Sequence, residues 1–226
     1  VIDNGSTDDS INYLEANFPN VNIIKVPINL GYALGYNYAF DKLKQSSKDD
    51  WYLLLNNDTV LDLETLNTFA EKATIYGKKH IYGCKILNIN NNKIWYGGGR
   101  ISRLTGNVFH DKLNSKDTLD QSDIIQTDFI SGCCMLINSD LLYKINGFSP
   151  TYNFYYEDVD LCNKAKSEGS KCYYISSTHI LHHISFSLGG RFSFLKLFRK
   201  INSFIKYLFL NNKIPYSIYY IVINII

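Results

Sequence analysis

The chain has 226 residues, which is enough for one domain with a sizeable hydrophobic core. Its hydrophobic content of 46% and its four prolines exclude a disordered protein. The net charge of +2, without a concentrated basic face before the C-terminal residues, argues against a nucleic-acid-binding protein.

In the first half of the chain, apolar runs alternate with segments of helical period. Short links between such elements predict parallel strands covered by helices on both faces. A cap at Ser6 or Asp8 is expected for the first helix, because both side chains can accept a hydrogen bond from its first turn. The predicted strands are 1–3, 21–26, 51–55 and 81–87, and the predicted helices are 8–18, 31–43 and 63–76.

The second half is less regular. Residues 93–109 contain several glycines and predict a hairpin, and the polar residues 112–122 predict a mobile loop. Strands are expected at 125–129 and 135–137 on either side of Gly132, and again at 171–175. Helices are expected at 139–145, ending at Gly147, and at 158–168, ending at Gly169. The chain as a whole predicts an α/β fold with a mixed sheet.

The C-terminal residues change in composition. From Phe192 onward, apolar residues at helical spacing mix with basic ones, which predicts a basic amphipathic helix on a membrane surface. A helix packed on the domain is the alternative. The apolar run 214–226 has no charge after Lys213. We therefore divide the chain into a domain over 1–188 and a membrane-associating segment over 189–226, and both chain ends suggest a piece of a longer protein.

The five cysteines have neither zinc-site nor disulfide spacing, which indicates reduced thiols in the core of a cytosolic protein. They are Cys84, Cys133, Cys134, Cys162 and Cys172.

Two strand-end loops carry polar side chains where open α/β sheets bind ligands. Asp3 and Asn4 follow the first strand and can hydrogen-bond a base or ribose, although an ordinary Asn-Gly turn would also use them. The loop that begins at Asn29 feeds a helix through Gly31 and Gly35, which permit a close approach. The spacing fits neither a phosphate-binding P-loop nor the dinucleotide fingerprint.

A buried strand ends in Asn56-Asn57-Asp58. A core does not need these residues, whereas a hard cation that bridges phosphates needs oxygen ligands. Asp58 is the strongest candidate ligand, and Asn56 can assist. An Asx turn before the next helix is the alternative.

Three carboxylates crowd a predicted helix start after an aromatic run. Glu157 or Asp158 can act as a base toward a sugar hydroxyl, and Asp160 ranks lower. A favourable interaction with the helix dipole explains the same carboxylates without catalysis. His179, His182 and His183 follow a predicted strand, where one can ligate a metal or simply be a structural histidine.

In this order, the motifs resemble the family 2 inverting glycosyltransferases of the GT-A fold, and most of all their rhamnosyltransferase-like branch. The matching segments are V-I-D-N-G-S-T-D-D, N-L-G-Y-A-L-G-Y-N, L-L-L-N-N-D-T, F-I-S-G-C-C-M-L-I, F-Y-Y-E-D-V-D-L-C and H-H-I-S-F-S, within residues 1–188. The family's first strand would precede Val1.

The resemblance implies a role for each matching residue. Asp158 would be the general base, supported by Glu157, and Gly132 and Cys133 would lie beside the donor sugar. Asp58 would bind Mg²⁺ or Mn²⁺ with Asn56 and His182, and Asn56 replaces the first carboxylate of the family's D-x-D motif. The nucleotide site would comprise Asp3, Asn4, Ser6, Asn29, Gly31, Asn37 and Asn57.

The resemblance therefore implies an enzyme that moves a sugar, with rhamnose as one candidate, from a nucleoside-diphosphate sugar to a hydroxyl of a glycan or glycolipid. The enzyme is expected to act in the cytoplasm at the inner face of a membrane. It is not expected to bind nucleic acid. The alternatives are a sugar nucleotidyltransferase and a membrane-tethered carbohydrate-binding module.

Overall fold

The computed structural model describes residues 1–44, 50–61, 63–103, 105–117, 122–152, 154–183 and 194–211. The strands are β1 (Ile2–Asp3), β2 (Ile24–Lys25), β3 (Trp51–Leu55), β4 (Thr59–Val60), β5 (Ile81–Asn88), β6 (Ile94–Tyr96), β7 (Gly99–Ile101), β8 (Val108–His110), β9 (Ile124–Thr127), β10 (Cys134–Asn138) and β11 (Cys172–His182). The helices are α1 (Ser10–Asn17), α2 (Gly31–Leu43), α3 (Leu63–Tyr76), α4 (Ser139–Lys144), α5 (Glu157–Ser167) and α6 (Phe194–Leu210).

The described strands form one seven-stranded mixed sheet and two separate pairs. Along the main sheet the order is β3-β10-β5-β11-β4, with β6 on β5 and β9 on β11. Strands β5 and β11 are parallel, whereas β10 is antiparallel to both of its neighbours. The two pairs are parallel β1-β2 and the antiparallel hairpin β7-β8.

The core lies along the centre of the main sheet. Every residue of β10 is buried, and so is every residue of β5 except the last. Continuous burial is expected for strands that are covered on both faces, and it agrees with their mostly apolar sequences, in which Lys85 and Asn138 are the buried polar residues. All five cysteines are buried free thiols, as predicted.

The predicted boundaries of α2, β3 and α3 agree with the structure to the residue. Shorter elements agree in type and differ in extent, such as β2, which keeps only two residues of the predicted 21–26. The α1 cap is different, because its N-cap residue is Asp9 and makes no side-chain cap bond. Asp8 instead accepts from the backbone N–H of Ser10 (3.1 Å).

Two sheet features differ from the prediction. The strand predicted at 171–175 continues to His182 through an irregularity between Ile175 and His179, so His179 and His182 lie within a strand rather than after it. Thr59 and Val60 form a short strand on β11 rather than leading directly into a helix. The strands predicted on either side of Gly132 are both present, as β9, which pairs with β11, and β10, which pairs with β3 and β5.

The C-terminal helix α6 contacts the sheet domain, and its side chains Ser203, Tyr207 and Leu208 are buried. No described helix is both long and apolar enough to cross a membrane. Several segments named in the sequence analysis lie outside the described residues. They are the apolar run 214–226, residues 118–121 of the predicted mobile loop, and Ser185 and Ser187 of the motif H-H-I-S-F-S.

Gly5 links β1 to α1 and provides a test of this local structure. Its φ is +77°, and an added Cβ would lie 2.7 Å from the backbone of both Asn29 and Ile28. Gly169 has the same φ within a degree, but nothing lies within 4 Å of an added Cβ. We expect Gly169→Ala to lower the free energy of unfolding by about 1 kcal/mol and Gly5→Ala by about 2–3 kcal/mol, since only the latter forces the backbone apart. Urea unfolding measures both, and equal losses would contradict the close approach.

Candidate functional site

The loops that follow β1 and β2 are held together by the side chain of Asn4. Its Nδ2 donates to the carbonyl of Gly31 (2.9 Å), and its Oδ1 accepts from the N–H of Leu30 (3.0 Å). Gly35 of α2 lies against this amide, and a Cβ there would be 3.1 Å from it. The amide of Asn4 is thus already bonded within the protein, so it positions the loops.

A cavity of about 890 Å³ lies between β1 with its following loop and the end of β3. Its lining includes six of the residues predicted for the nucleotide or metal site, together with apolar residues of α1 and β3. Those six residues are Asp3, Asn4, Ser6, Asn29, Asn56 and Asn57. Asp58, Glu157 and Asp158 are not among its lining residues, so the cavity reaches the neighbours of Asp58 but not the candidate base.

Asn37 and Gly31 are not among the residues that line this cavity. Asn37 Nδ2 donates to the carbonyl of Phe148 (2.8 Å), and Asn37 Oδ1 accepts from the N–H of Phe148 (2.9 Å). Both ends of the amide therefore join α2 to the segment after α4. These bonds give Asn37 a structural role, and its contact with a nucleotide stays a prediction.

Asp58 and His182 are brought together by the pairing of β4 with β11. Thr59 lies opposite His182, and the N–H of His183 donates to the carbonyl of Asp58 (2.9 Å). His182 Nε2 lies 3.2 Å from Asp58 Oδ1. Burial lowers the pKa of His182, against the opposing effect of Asp58, so the imidazole is neutral at pH 7 and can act as a ligand.

The two side chains also have unmet bonding capacity. Apart from the 3.2 Å approach of His182 Nε2 to Asp58 Oδ1, this oxygen and His182 Nδ1 are buried without a hydrogen-bond partner in the described part of the chain. A buried carboxylate oxygen without a partner is costly, and a divalent cation would satisfy it. Asp58 with His182 fits Mn²⁺ or Mg²⁺ as a partial ligand set, although no cluster of three His, Cys, Asp or Glu side chains occurs within the described ranges.

The turn at Gly132 and Cys133 connects this pair with the carboxylates of α5. The N–H of Asn56 donates to the carbonyl of Cys133 (3.1 Å), and the N–H of Gly132 donates to Asp158 Oδ2 (2.9 Å). Burial, Cys134 and the carboxylates of Asp58 and Asp158 raise the pKa of Cys133. The thiol is therefore protonated at pH 7, and both carboxylates lie near this turn.

Glu157 and Asp158 differ in what surrounds them. Asp158 accepts from the N–H of Gly132 and, through Oδ1, from the N–H of Val159 (2.8 Å). Glu157 Oε2 is buried and has no hydrogen-bond partner among the described residues. Burial and then the charge of Asp158 raise the pKa of Glu157 to about 8, and burial raises the pKa of Asp158 against the two N–H donors.

The different surroundings of Glu157 and Asp158 indicate which of the two carboxyl groups is ionised at pH 7. Backbone N–H groups stabilise an ionised carboxylate, so Asp158 carries the negative charge and Glu157 holds a proton. A raised pKa also makes the Asp158 carboxylate a stronger base than an exposed aspartate. Asp160, ranked lower from the sequence, is buried and accepts from the hydroxyl of Tyr152 (3.3 Å).

The sequence analysis did not identify three side chains of the site, which are Tyr32, Trp95 and His110. Tyr32 donates from its hydroxyl to the carbonyl of Gly132 (2.5 Å) and so supports the turn that holds Asp158. The ring of Trp95 lies 5.1 Å from that of His182 and 4.7 Å from that of His110, centroid to centroid. Tyr32 belongs to the motif N-L-G-Y-A-L-G-Y-N, and Trp95 lies shortly before the glycines 97–99. Neither sequence pattern indicates that Tyr32 bonds to Gly132 or that Trp95 packs on the two histidines.

The model of a protein family described as "Glycosyl transferase family 2" matches residues 1–145. An N-acetylglucosaminyl-diphospho-decaprenol L-rhamnosyltransferase of Mycobacterium tuberculosis is 23% identical over 205 residues, with 83% of this chain and 66% of the relative covered. Rhamnosyltransferase WbbL of Escherichia coli K12 is 26% identical over 179 residues, with 74% and 66% covered. The chain thus spans just under two thirds of the length of these curated relatives.

Two solved structures share the fold. GalNAc-T7, crystallised with UDP, GalNAc and Mn²⁺, has a TM-score of 0.61 at 11% identity, with 78% of this chain and 35% of that chain covered. Staphylococcus aureus TarS has a TM-score of 0.54 at 17% identity, with 81% and 30% covered. With the mixed sheet, these likenesses confirm the predicted GT-A fold.

Proposed function

The chain belongs to glycosyl transferase family 2, and from that membership we propose that it transfers a sugar from a nucleoside-diphosphate sugar to a hydroxyl of a glycan or glycolipid. The supporting observation is that Asp58 and Asp158, 100 residues apart in sequence, both lie near enough to Cys133 for their charges to raise the pKa of its thiol, and that the adjacent Gly132 N–H donates to Asp158. Asp58 Oδ1 is buried beside a neutral histidine, and Asp158 is the proposed base.

The donor is proposed to bind in the cavity between β1 and β3. Asp3, Ser6 and Asn29 supply polar groups there, and Asn56 and Asn57 lie at its end next to Asp58. Asp58 and His182, with the carbonyl of Asn56, would hold Mg²⁺ or Mn²⁺. When bound, such a cation supplies positive charge against the leaving diphosphate.

Asp158 is proposed to take the proton from the acceptor hydroxyl as that oxygen attacks the anomeric carbon. Its two N–H donors fix the carboxylate in place, and the protonated Glu157 adds no second charge beside it. The bond to the diphosphate breaks as the bond to the acceptor forms, so a single displacement inverts the anomeric configuration. A covalent intermediate is not needed, which agrees with the protonated Cys133 thiol.

The names of the relatives suggest which sugar is transferred and to which kind of acceptor. Both are rhamnosyltransferases, and the name of the M. tuberculosis protein specifies a lipid-linked acceptor. We therefore propose an L-rhamnose donor and a lipid-linked glycan acceptor, used at the cytoplasmic face of a membrane.

A panel of nucleotide sugars, with and without Mn²⁺, tests the reaction. Release of a free nucleoside diphosphate together with a glycosylated acceptor is expected. Release of pyrophosphate would favour a sugar nucleotidyltransferase instead. A chain that binds glycans but neither nucleoside diphosphates nor Mn²⁺ would favour a carbohydrate-binding module.

Asp58→Asn tests the metal assignment without requiring turnover. The variant keeps the size of the side chain but removes the charge, so we expect Mn²⁺-dependent affinity for a nucleoside diphosphate to fall at least about tenfold. The readout is the rise in melting temperature when UDP or dTDP is added with Mn²⁺. Asp50→Asn, at the exposed residue just before β3, is the matched control and should keep the full rise. An unchanged rise in Asp58→Asn would exclude Asp58 as a ligand.

A further inference from the structure

Helix α6 is bonded to the loop that precedes the candidate base. Ser203 Oγ donates to the carbonyl of Phe154 (2.6 Å), and Lys206 Nζ donates to the carbonyl of Thr151 (2.8 Å). The ring of Tyr207 lies 5.0 Å from that of Tyr156, centroid to centroid. The side of α6 that faces the domain therefore holds the segment that leads directly into Glu157.

The apolar stripe of α6 faces away from the domain in the first half of the helix. The relevant residues are Phe194, Leu197, Phe198 and Ile201, which are 91%, 55%, 48% and 44% exposed. The spacing of three, four and seven residues places them along one side of a helix. A packed surface helix normally turns such a stripe toward the core, whereas the residues that the structure describes leave this stripe uncovered, so it is available to another apolar phase.

Charge is distributed unevenly along the chain, and α6 lies in its basic part. Residues 169–226 contain seven Lys and Arg residues and no Asp or Glu, although the whole chain has a net charge of only +2. On α6 itself, Lys200 is exposed, and the guanidinium of Arg199 lies 5.1 Å from the ring centre of Phe154. An apolar stripe within a segment free of negative charge complements an anionic lipid surface.

We propose that the stripe Phe194, Leu197, Phe198 and Ile201 docks this chain on an anionic lipid bilayer. The helix would lie in the plane of the bilayer surface, with the apolar side chains among the acyl chains and Lys200 among the headgroups. Because the opposite side of α6 is bonded to Thr151 and Phe154, docking would hold the Glu157–Asp158 pair on the far side of the helix from the bilayer, with at least about one helix diameter of 10 Å between them. The inference rests on the surface of α6 and does not require the proposed transfer reaction.

Sedimentation with lipid vesicles tests the proposal on the full chain. We expect the chain to bind vesicles made of equal parts phosphatidylcholine and phosphatidylglycerol, and to bind pure phosphatidylcholine much more weakly. Binding should weaken as salt is added, because screening removes the headgroup attraction. Leu197→Glu combined with Ile201→Glu should lower the partition coefficient at least about tenfold. Lys200→Gln should lower it about fivefold, on anionic vesicles only.

The matched control is Leu63→Glu combined with Ile75→Glu. These two α3 residues are 77% and 63% exposed, so the control adds the same charge at exposed apolar positions elsewhere. It should bind vesicles as the unmodified chain does. The melting temperature, with and without UDP or dTDP plus Mn²⁺, is measured for every variant, which separates a loss of docking from a loss of fold or of the nucleotide site.

Two results would overturn the proposal. Full vesicle binding by the Leu197→Glu and Ile201→Glu variant would mean that other residues, such as 212–226, contact the lipid. The second result is an unmodified chain that binds neither kind of vesicle but self-associates, while the double variant is monomeric in sedimentation velocity. The stripe would then be an interface between copies of the chain.

Discussion

Replacing Asp158 by Asn is expected to lower kcat by about 10²–10⁴, the usual contribution of a positioned general base. The substitution keeps the size and planarity of the side chain, so the fold should survive with a modest loss of stability. An amide has one acceptor oxygen in place of two, so one of the bonds from Gly132 and Val159 is lost. Affinity for the nucleoside diphosphate should stay within a few-fold, because the cavity residues are unchanged.

The measurement is single-turnover kinetics with the donor identified by the nucleotide-sugar panel, together with nucleotide binding by calorimetry. Asp140→Asn is a suitable control, since Asp140 also lies in the first turn of a helix but pairs with Lys78 at the surface. It should retain normal kcat. A near-normal kcat for Asp158→Asn would assign the proton transfer to another group.

Local signals explain why several elements could be predicted from the sequence. The uninterrupted apolar residues of β3 and the apolar period of α3 depend only on neighbours in the chain, and both elements were predicted with correct bounds. Strand β11 was cut short in the prediction because Ser176 and Thr178 interrupt its apolar run. Their hydroxyls bond to the carbonyl of Ser122 and to the hydroxyl of Thr65, contacts from distant parts of the chain.

The site shows the same division between local and distant information. Residue type was enough to select Asp58 and Asp158 as candidates, since carboxylates at element ends require an explanation. The sequence could not show that Asn37 would bond to the backbone of Phe148, 111 residues away. Nor could it show that Tyr32 would bond to the turn that holds Asp158.

The chemistry of the two residues alone did not separate the adjacent carboxylates, and only the family resemblance named Asp158 as the base. Both Glu157 and Asp158 lie at the start of α5, where the helix dipole favours a negative charge on each. They differ because two backbone N–H groups point at Asp158, whereas Glu157 Oε2 is buried without a partner in the described structure. Electrostatic surroundings therefore support the proposed roles.

Replacing Glu157 by Gln is expected to remove a large part of the pH dependence of stability. The pKa of Glu157 is about 8 in the folded chain, against an ordinary value of 4.5. Between these two values the unfolded chain has released the proton while the folded chain still holds it. Stability from this group is therefore complete below pH 4.5, falls as pH rises, and is lost by about pH 8. Between pH 5.5 and 8.5 the unmodified chain should lose about 3 kcal/mol relative to Glu157→Gln.

Urea unfolding across this pH range, without added metal, measures the difference. Glu64→Gln, at an exposed glutamate in the first turn of α3, should follow the curve of the unmodified chain. Glu157→Gln should also keep kcat within about tenfold at pH 7, because Gln imitates the protonated acid and Asp158 remains the base. Parallel stability curves for Glu157→Gln and the unmodified chain would mean that Glu157 is ionised at neutral pH. Two adjacent charges would then share the site, and the assignment of a single base to Asp158 would be wrong.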